Sequence, residues 1–427
     1  MVASTDIKFY VHTNNNAPQL QNAYGSMISV LDACLINGFQ IGVVSSLTAS
    51  GNIVTATFGA AHNLMQYQVI KITGANQPEF NGEHRILTIP NSSSLTFELA
   101  TAPSVPTATG AISASLPPLG WEKPFSSTHS SGVGGKAAYR SLNLLLPSRP
   151  FLRVVDELDP AYTATYAKFA KVGIVEDMTD INTMLGVQAP FDITLPNKNW
   201  VGTGSGATAY NGWSKWIYAR SAASSATEAD LVANGVRKWF LVGNSDYFYV
   251  VPAFAVSSNV GPIYGFGNFV SNIPSDSTNT FLSATNKYTP ANSSYYVGEN
   301  SGIGSNSSRN ANIILLRKFD QSALFATASN GILQIGSSPS ATTGASNDIN
   351  AVDVLGYIQS FDVFLTENKS AFSAAVGLVR GKLSGIRWLL QNKPLSEYEL
   401  IELGDEVYIG KSMLSHTIDG QMLFKVV

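Results

Sequence analysis

The chain has 427 residues, of which 44% are hydrophobic, 10% aromatic and only 13% charged, with a formal net charge of −3. That length suits two or three domains, or one large β-rich body carrying an insertion, and the charged share is about half of the roughly 25% usual in soluble proteins. With 26 basic against 29 acidic residues there is no electrostatic footprint for nucleic acid, and the single cysteine, Cys34, excludes an internal disulfide.

No Cys/His spacing suggests a zinc site, and no cofactor motif is present. The start, Met1-Val2-Ala3-Ser4-Thr5-Asp6-Ile7-Lys8, lacks the basic and apolar regions of a secretory signal. No apolar run of roughly 18 residues occurs, so no membrane span is expected. The protein is expected to be made in the cytoplasm and to leave it only as part of an assembled particle.

In chain order, Ile7-Lys8-Phe9-Tyr10-Val11-His12 reads as a short strand, and Asn14-Asn15-Asn16-Ala17-Pro18 as a turn that caps a helix. Leu20, Tyr24, Met27, Ile28, Leu31 and Leu35 recur at three- and four-residue steps, which predicts one amphipathic helix stopped at Gly38. Cys34 lies near its apolar face and reads as a small buried hydrophobe.

From about 43 to 116 the texture changes to short strands separated by Gly, Asn, Pro and Ser. Ile53–Phe58, Gln68–Ile72, His84–Ile89 and Leu95–Leu99 have the spacing of a small sandwich or barrel. With its His62-Asn63-Leu64 turn, then Ile72-Thr73-Gly74-Ala75 and Phe80-Asn81-Gly82, this stretch resembles a small β-module common in bacteriophage virion proteins.

Beyond Leu116-Pro117-Pro118-Leu119-Gly120-Trp121, strands are expected at Lys136–Ser141, Phe151–Asp156, Ala170–Val175, Trp239–Val242 and Phe248–Val251. These segments, together with Ser29–Phe39 and Val379–Ile386, resemble a family of phage and prophage virion structural proteins over nearly the whole chain. Residues 271–312 and 328–350 are rich in Ser, Asn, Thr, Gly and Ala and read as long loops or interaction arms. Strands at Val354–Ile358, Phe361–Leu365, Glu406–Ile409 and Met422–Val426 are expected to close the chain.

Catalysis finds little support. The five histidines, His12, His62, His84, His129 and His416, are scattered without metal-ligand spacing, and no Gly-x-Ser-x-Gly elbow is present. Two acidic groups, Asp156-Glu157-Leu158-Asp159 and Glu176-Asp177-Met178-Thr179-Asp180, would serve a glycosidase if they faced one cleft or would hold Ca²⁺. The plainer reading is strand ends and salt bridges to Arg153 and Lys171. Gly132-Val133-Gly134-Gly135-Lys136 and Gly202-Thr203-Gly204-Ser205-Gly206 lack the spacing of a phosphate loop.

The aromatic residues Trp213, Trp216, Tyr218, Tyr247 and Tyr249 would stack on host surface glycans if exposed, but at strand spacing they suit a core or a subunit interface. Arg380, Lys382, Arg387 and Lys393 form a modest basic strip that would dock an acidic neighbour or simply be solvated.

The expected fold is mainly β, with a β-sandwich-like main body and one N-terminal helix. Residues 1–42 supply the strand and helix, 43–116 an inserted small β-sandwich or barrel, and 117–427 the β-rich body with long polar loops. The resemblance implies a non-enzymatic virion structural component, and the inserted β-module and long polar arms favour a peripheral place in the tail, as a baseplate or collar component. It would assemble as a ring or trimer and dock to neighbouring virion proteins. A capsid decoration protein, a receptor- or glycan-binding tail protein and a depolymerase stay open as alternatives.

Overall fold

The computed structural model describes residues 3–191, 214–221, 229–286, 302–303, 314–329, 358, 360–368, 375–389, 394–415 and 418–427. The fold is mainly β and sandwich-like. It has three parts: a 13-stranded antiparallel sheet, a 6-stranded sheet and a closed six-stranded barrel.

The barrel strands run from Phe39 to Leu116, so the module begins ahead of residue 43. Its closure depends on one long strand, Phe39–Ser50, which pairs through its first half with Gly110–Leu116 and through its second half with Ile53–Phe58. Period-two alternation builds the interior: Val54, Ala56 and Phe58 point inward, while Ile53 and Thr55 face solvent. Ile70, Ile72, Ile86, Leu95 and Phe97 complete that core.

The helix is shorter than the spacing predicts. It spans only Ser26–Leu31 and continues as a π-helical segment over Asp32–Asn37. Leu20 instead makes a β-bridge with Arg237, and Gly25 at φ 86° interrupts the winding before Ser26. Of the expected face Met27, Leu31 and Leu35 are buried, as is Cys34, whereas Ile28 and Tyr24 are half-buried and Val30, outside that spacing, is buried. Tertiary pairing of the preceding backbone overrode the periodic pattern at its first turn.

The large sheet buries both faces. Trp239, Leu241, Phe248, Val250, Tyr264 and Phe266 face the smaller sheet, where they meet Tyr139, Leu152, Val154, Val172 and Ile174. The alternate residues Phe240, Val242, Tyr249 and Val251 face the other way and meet Ile386, Trp388, Ile409, Met422 and Phe424 from later strands of the same sheet. The sheet therefore curls back on itself, bringing Phe424 within 5.4 Å of Phe240 and 5.8 Å of Tyr249, ring centre to ring centre. Continuous apolar runs such as Trp239-Phe240-Leu241-Val242 follow from this two-sided burial.

One polar-rich stretch conceals a core strand. Thr280–Ser283, inside the 271–312 segment read as loop, pairs with Tyr264–Asn268 on one side and Ile314–Arg317 on the other, and all four of its residues are buried. Residues 287–301, 304–312 and 330–350 lie outside the described residues.

A buried polar latch holds the barrel to the body. Gln68 Nε2 donates to the Phe9 carbonyl at 2.9 Å and to Asn14 Oδ1 at 3.0 Å, and its Oε1 accepts from Met65 N at 2.9 Å. The Arg85 guanidinium donates to the carbonyls of Ser4, Ile7 and Tyr67. Through these contacts the first strand, Lys8–Val11, pairs with the large sheet while its flanking backbone grips the barrel.

Candidate functional site

The aromatic residues singled out in the sequence form core. Trp216 is fully buried, stacks on Tyr264 with ring centres 5.8 Å apart, and its Nε1 donates to the Ser283 carbonyl at 3.0 Å. Tyr218, Tyr247 and Tyr249 are also buried, and the Tyr249 hydroxyl donates to the Ser384 carbonyl at 2.8 Å. None of these four rings is available to a glycan, because the two-sided large sheet needs them as filling. Trp213 lies outside the described residues.

The basic strip is neutralised within the chain. Arg380 makes paired contacts at 3.0 Å with the two Asp276 oxygens and a third at 2.9 Å with Glu367. Asp362 receives Lys382 at 2.9 Å and Arg387 at 3.1 Å. With their charges so matched, these three side chains do not form a cationic docking face. Lys393 lies outside the described residues.

The two acidic groups do not converge. Strands Phe151–Asp156 and Lys168–Asp180 run antiparallel, with Phe151 opposite Val175 and Val155 opposite Lys171. Asp156 and Glu176 thus stand at opposite ends of the ladder, about 20 Å apart at roughly 3.3 Å per residue. Each group has its own separate partner: Asp159 lies 3.5 Å from Lys171, Glu157 3.7 Å from Lys136 and Glu176 2.7 Å from Arg317. Asp180 accepts from the backbone of Asn182 and Thr183 in a tight turn. Among the described residues no group of three His, Cys, Asp or Glu side chains is placed to hold a metal ion.

Asp156 is the chemically unusual carboxylate. It is fully buried, and its Oδ2 accepts from the backbone N–H of Met27 at 3.1 Å and of Ile28 at 3.4 Å, while Tyr218 donates to Oδ1 at 2.6 Å. Burial pushes its pKa up to about 6, against the pull of those hydrogen bonds. Gly134, at φ 76°, lets the Gly132–Lys136 turn pass so close that a Cβ there would sit 2.2 Å from the Asp156 carbonyl. That glycine-rich turn serves close packing. The arrangement ties the helix to the smaller sheet.

His62 and His84 have structural surroundings. His62 Nδ1 accepts from Leu64 N at 3.0 Å inside its own turn, and His84 stacks on Phe97 with ring centres 4.3 Å apart. Burial lowers the pKa of both.

Two surface features were not legible beforehand. A cleft of about 400 Å³ has a mixed lining, in which Leu146, Pro147, Val270 and Ile273 stand among polar residues that include Asp246, Asn268, Asp276 and Asn279. Leu145, in the loop leading to it, is 92% exposed and Leu144 77%. Val379 adjoins the cleft, since Asn272 Nδ2 donates to its carbonyl at 3.2 Å. The second feature is a pocket of about 430 Å³ between the two sheets, lined among the described residues by Gly186, Val187, Gln188, Pro190, Phe191, Ser322, Ala323 and Phe325. The run Leu142-Asn143-Leu144-Leu145-Leu146-Pro147 was the available signal for the first. The second brings together residues more than a hundred positions apart.

No family model matches the chain, and no curated protein matches it. A solved structure, the phage phi92 endosialidase, is similar at a TM-score of 0.15 and 6% identity, over 90% of this chain and 50% of that one. The chain spans half the length of that structure, and at that score the likeness carries no argument about fold or function. No helix among the described residues is long and apolar enough to cross a membrane.

Proposed function

We propose that this protein is a non-enzymatic structural component of a phage virion, acting in the tail, as part of a baseplate or collar, by packing against copies of itself and neighbouring virion proteins. The observation that carries the assembly reading is the exposure of large apolar side chains, above all Leu144 and Leu145, in the loop that leads to the cleft holding Val270 and Ile273. Large apolar side chains left this exposed suit burial against a partner, and the chain's low charge, 13% of residues, offers few groups to solvate such a face. The virion assignment rests on the sequence resemblance, which extends from the barrel module to the strands of both sheets. Closed rotational symmetry, a ring or trimer, is the economical way for such a surface to be covered without open-ended polymerisation.

The test is the mass of the purified protein in solution, with labels on the barrel, Phe39–Leu116, located on intact particles. A discrete oligomer, labels confined to the tail, and dissociation by the double substitution Leu144→Asp with Leu145→Asp at unchanged melting temperature are expected. A monomer at all concentrations, or particles that never carry the protein, would overturn the reading. Labels spread over the head shell would replace the tail position with capsid decoration.

A further inference from the structure

We infer that Asn234 is a site of spontaneous covalent modification, at which the backbone nitrogen of Gly235 attacks the Asn234 side chain and converts it to aspartate and isoaspartate. The step is an intramolecular acyl transfer: Gly235 N bonds to Asn234 Cγ, the Cγ–Nδ2 bond breaks, and the amide proton of Gly235 leaves with Nδ2 as ammonia. Water then opens the resulting succinimide ring at either carbonyl. One opening gives aspartate, and the other gives isoaspartate, in which the main chain runs through Cγ. Water is the only co-reactant, and no metal or cofactor takes part.

Glycine after the asparagine favours this attack because no Cβ obstructs the approach. Five such pairs occur: Asn37-Gly38, Asn81-Gly82, Asn211-Gly212, Asn234-Gly235 and Asn330-Gly331. Asn211 and Asn330 lie outside the described residues. The fold separates the other three. Asn81 is locked, its Oδ1 accepting from Ala75 N at 3.0 Å and its Nδ2 donating to the Ala75 carbonyl at 2.8 Å, while Gly82 stands opposite Ile72 in a barrel strand. Asn37 closes the π-helical segment, whose winding fixes its backbone. Gly38 is wedged so closely behind it that a Cβ would lie 2.4 Å from the Leu116 carbonyl oxygen.

Asn234 is exposed and stands outside helix and strand. Its side chain makes a single hydrogen bond among the described residues, Oδ1 accepting from Asn22 Nδ2 at 3.2 Å, so Nδ2 is untied and can depart. Asn22 is itself held by the Val232 carbonyl at 2.9 Å, and its N–H points at the oxygen on which negative charge develops during attack. Nothing among the described residues accepts from the Gly235 N–H, so the nucleophile is not engaged in secondary structure.

The modification would be felt in the body. The buried Arg237 guanidinium donates to the carbonyls of Gly235 at 2.9 Å, Ala233 at 2.7 Å and Phe254 at 2.8 Å, and Arg237 N donates to the Leu20 carbonyl at 2.8 Å. Isoaspartate adds a carbon atom to the main chain between residues 234 and 235. That displaces the Gly235 carbonyl from the guanidinium and loosens the bridge to Leu20 ahead of the helix. The inference does not depend on the assembly role, since the site is formed within a single chain.

The experiment is peptide mapping by mass spectrometry on the full chain, aged for weeks in mildly alkaline buffer, with isoaspartate located by electron-transfer fragmentation. Conversion of Asn234 at least about tenfold faster than of Asn37 and Asn81 is expected in the folded protein, and similar rates at all three in concentrated urea. Asn234→Ser, at an exposed position, is expected to fold normally. Hydrogen exchange at the Arg237 N–H should quicken in aged wild-type protein and stay unchanged in aged Asn234→Ser. Survival of Asn234, or conversion no faster than at Asn37 and Asn81 in the folded chain, would overturn the assignment. The same ranking in urea would overturn the role given to the fold, and unchanged exchange at Arg237 after full conversion would overturn the structural consequence.

Discussion

The Tyr218 hydroxyl donates to Asp156 Oδ1 at 2.6 Å, joining two strands of the smaller sheet at the point where the other oxygen of the carboxylate receives the first N–H groups of the helix. The same hydroxyl lies 3.1 Å from the Ala23 carbonyl, so it has a second acceptor within reach.

This pair makes stability depend on pH in a direction opposite to ordinary surface carboxylates. Asp156 has a folded pKa of about 6, above the 3.8 usual for an aspartate. Between those values the folded state binds more protons than the unfolded state, so stability contributed by this group is full below about pH 4 and is lost as pH rises through 6. The loss corresponds to about 3 kcal/mol at 1.36 kcal/mol per pKa unit. Asp156→Asn is expected to abolish it: the amide oxygen accepts from Met27 and Ile28, its NH₂ donates to Tyr218, and Tyr218 donates to Ala23. The check is urea denaturation of both proteins from pH 4 to 7. The wild-type protein should lose stability relative to Asp156→Asn as pH rises, and a constant difference would refute the account.

Gln68→Leu is expected to weaken the union of barrel and body. Gln68 is fully buried and serves the Phe9 carbonyl, the Asn14 amide and the Met65 N–H together. Leaving those groups unpaired costs about 1–3 kcal/mol apiece where water does not replace the side chain, so a loss of at least about 2 kcal/mol in chemical denaturation is expected. Faster hydrogen exchange should appear first in Lys8–Val11 and the adjoining barrel turn.

Trp216→Ala should unfold the protein more readily, in keeping with a core position. Removing a fully buried indole costs about 3–5 kcal/mol, and here it also vacates the space between Tyr264 and Phe248, whose ring centres lie 5.8 and 6.1 Å from it. A melting temperature equal to that of the wild-type protein would show that the ring is not core.

The barrel strands were legible because their alternation is local: Ile53–Phe58 reads outward and inward residue by residue, and the structure places it so. Much of the apolar helix face was legible for the same reason, although its start was not, since the Leu20 bridge to Arg237 depends on a strand more than two hundred residues away. Thr280–Ser283 was concealed by its polar neighbours, and only its pairing on both edges makes it a core strand.

Composition and short-range periodicity therefore determined a mainly β chain with one helix and a small β-module, because alternation and helical spacing are properties of adjacent residues. They did not distinguish core from surface among the aromatics, since Trp216 and an exposed stacking platform have the same sequence pattern. Nor did they pair the charges: Arg380 is matched by Asp276 and Glu367, and Arg317 by Glu176, only after the strands are assembled. The pocket lined by Val187 and Phe325 likewise exists only where two sheets meet. Burial and charge matching are set by contacts between distant segments, and those contacts form only when the chain has folded.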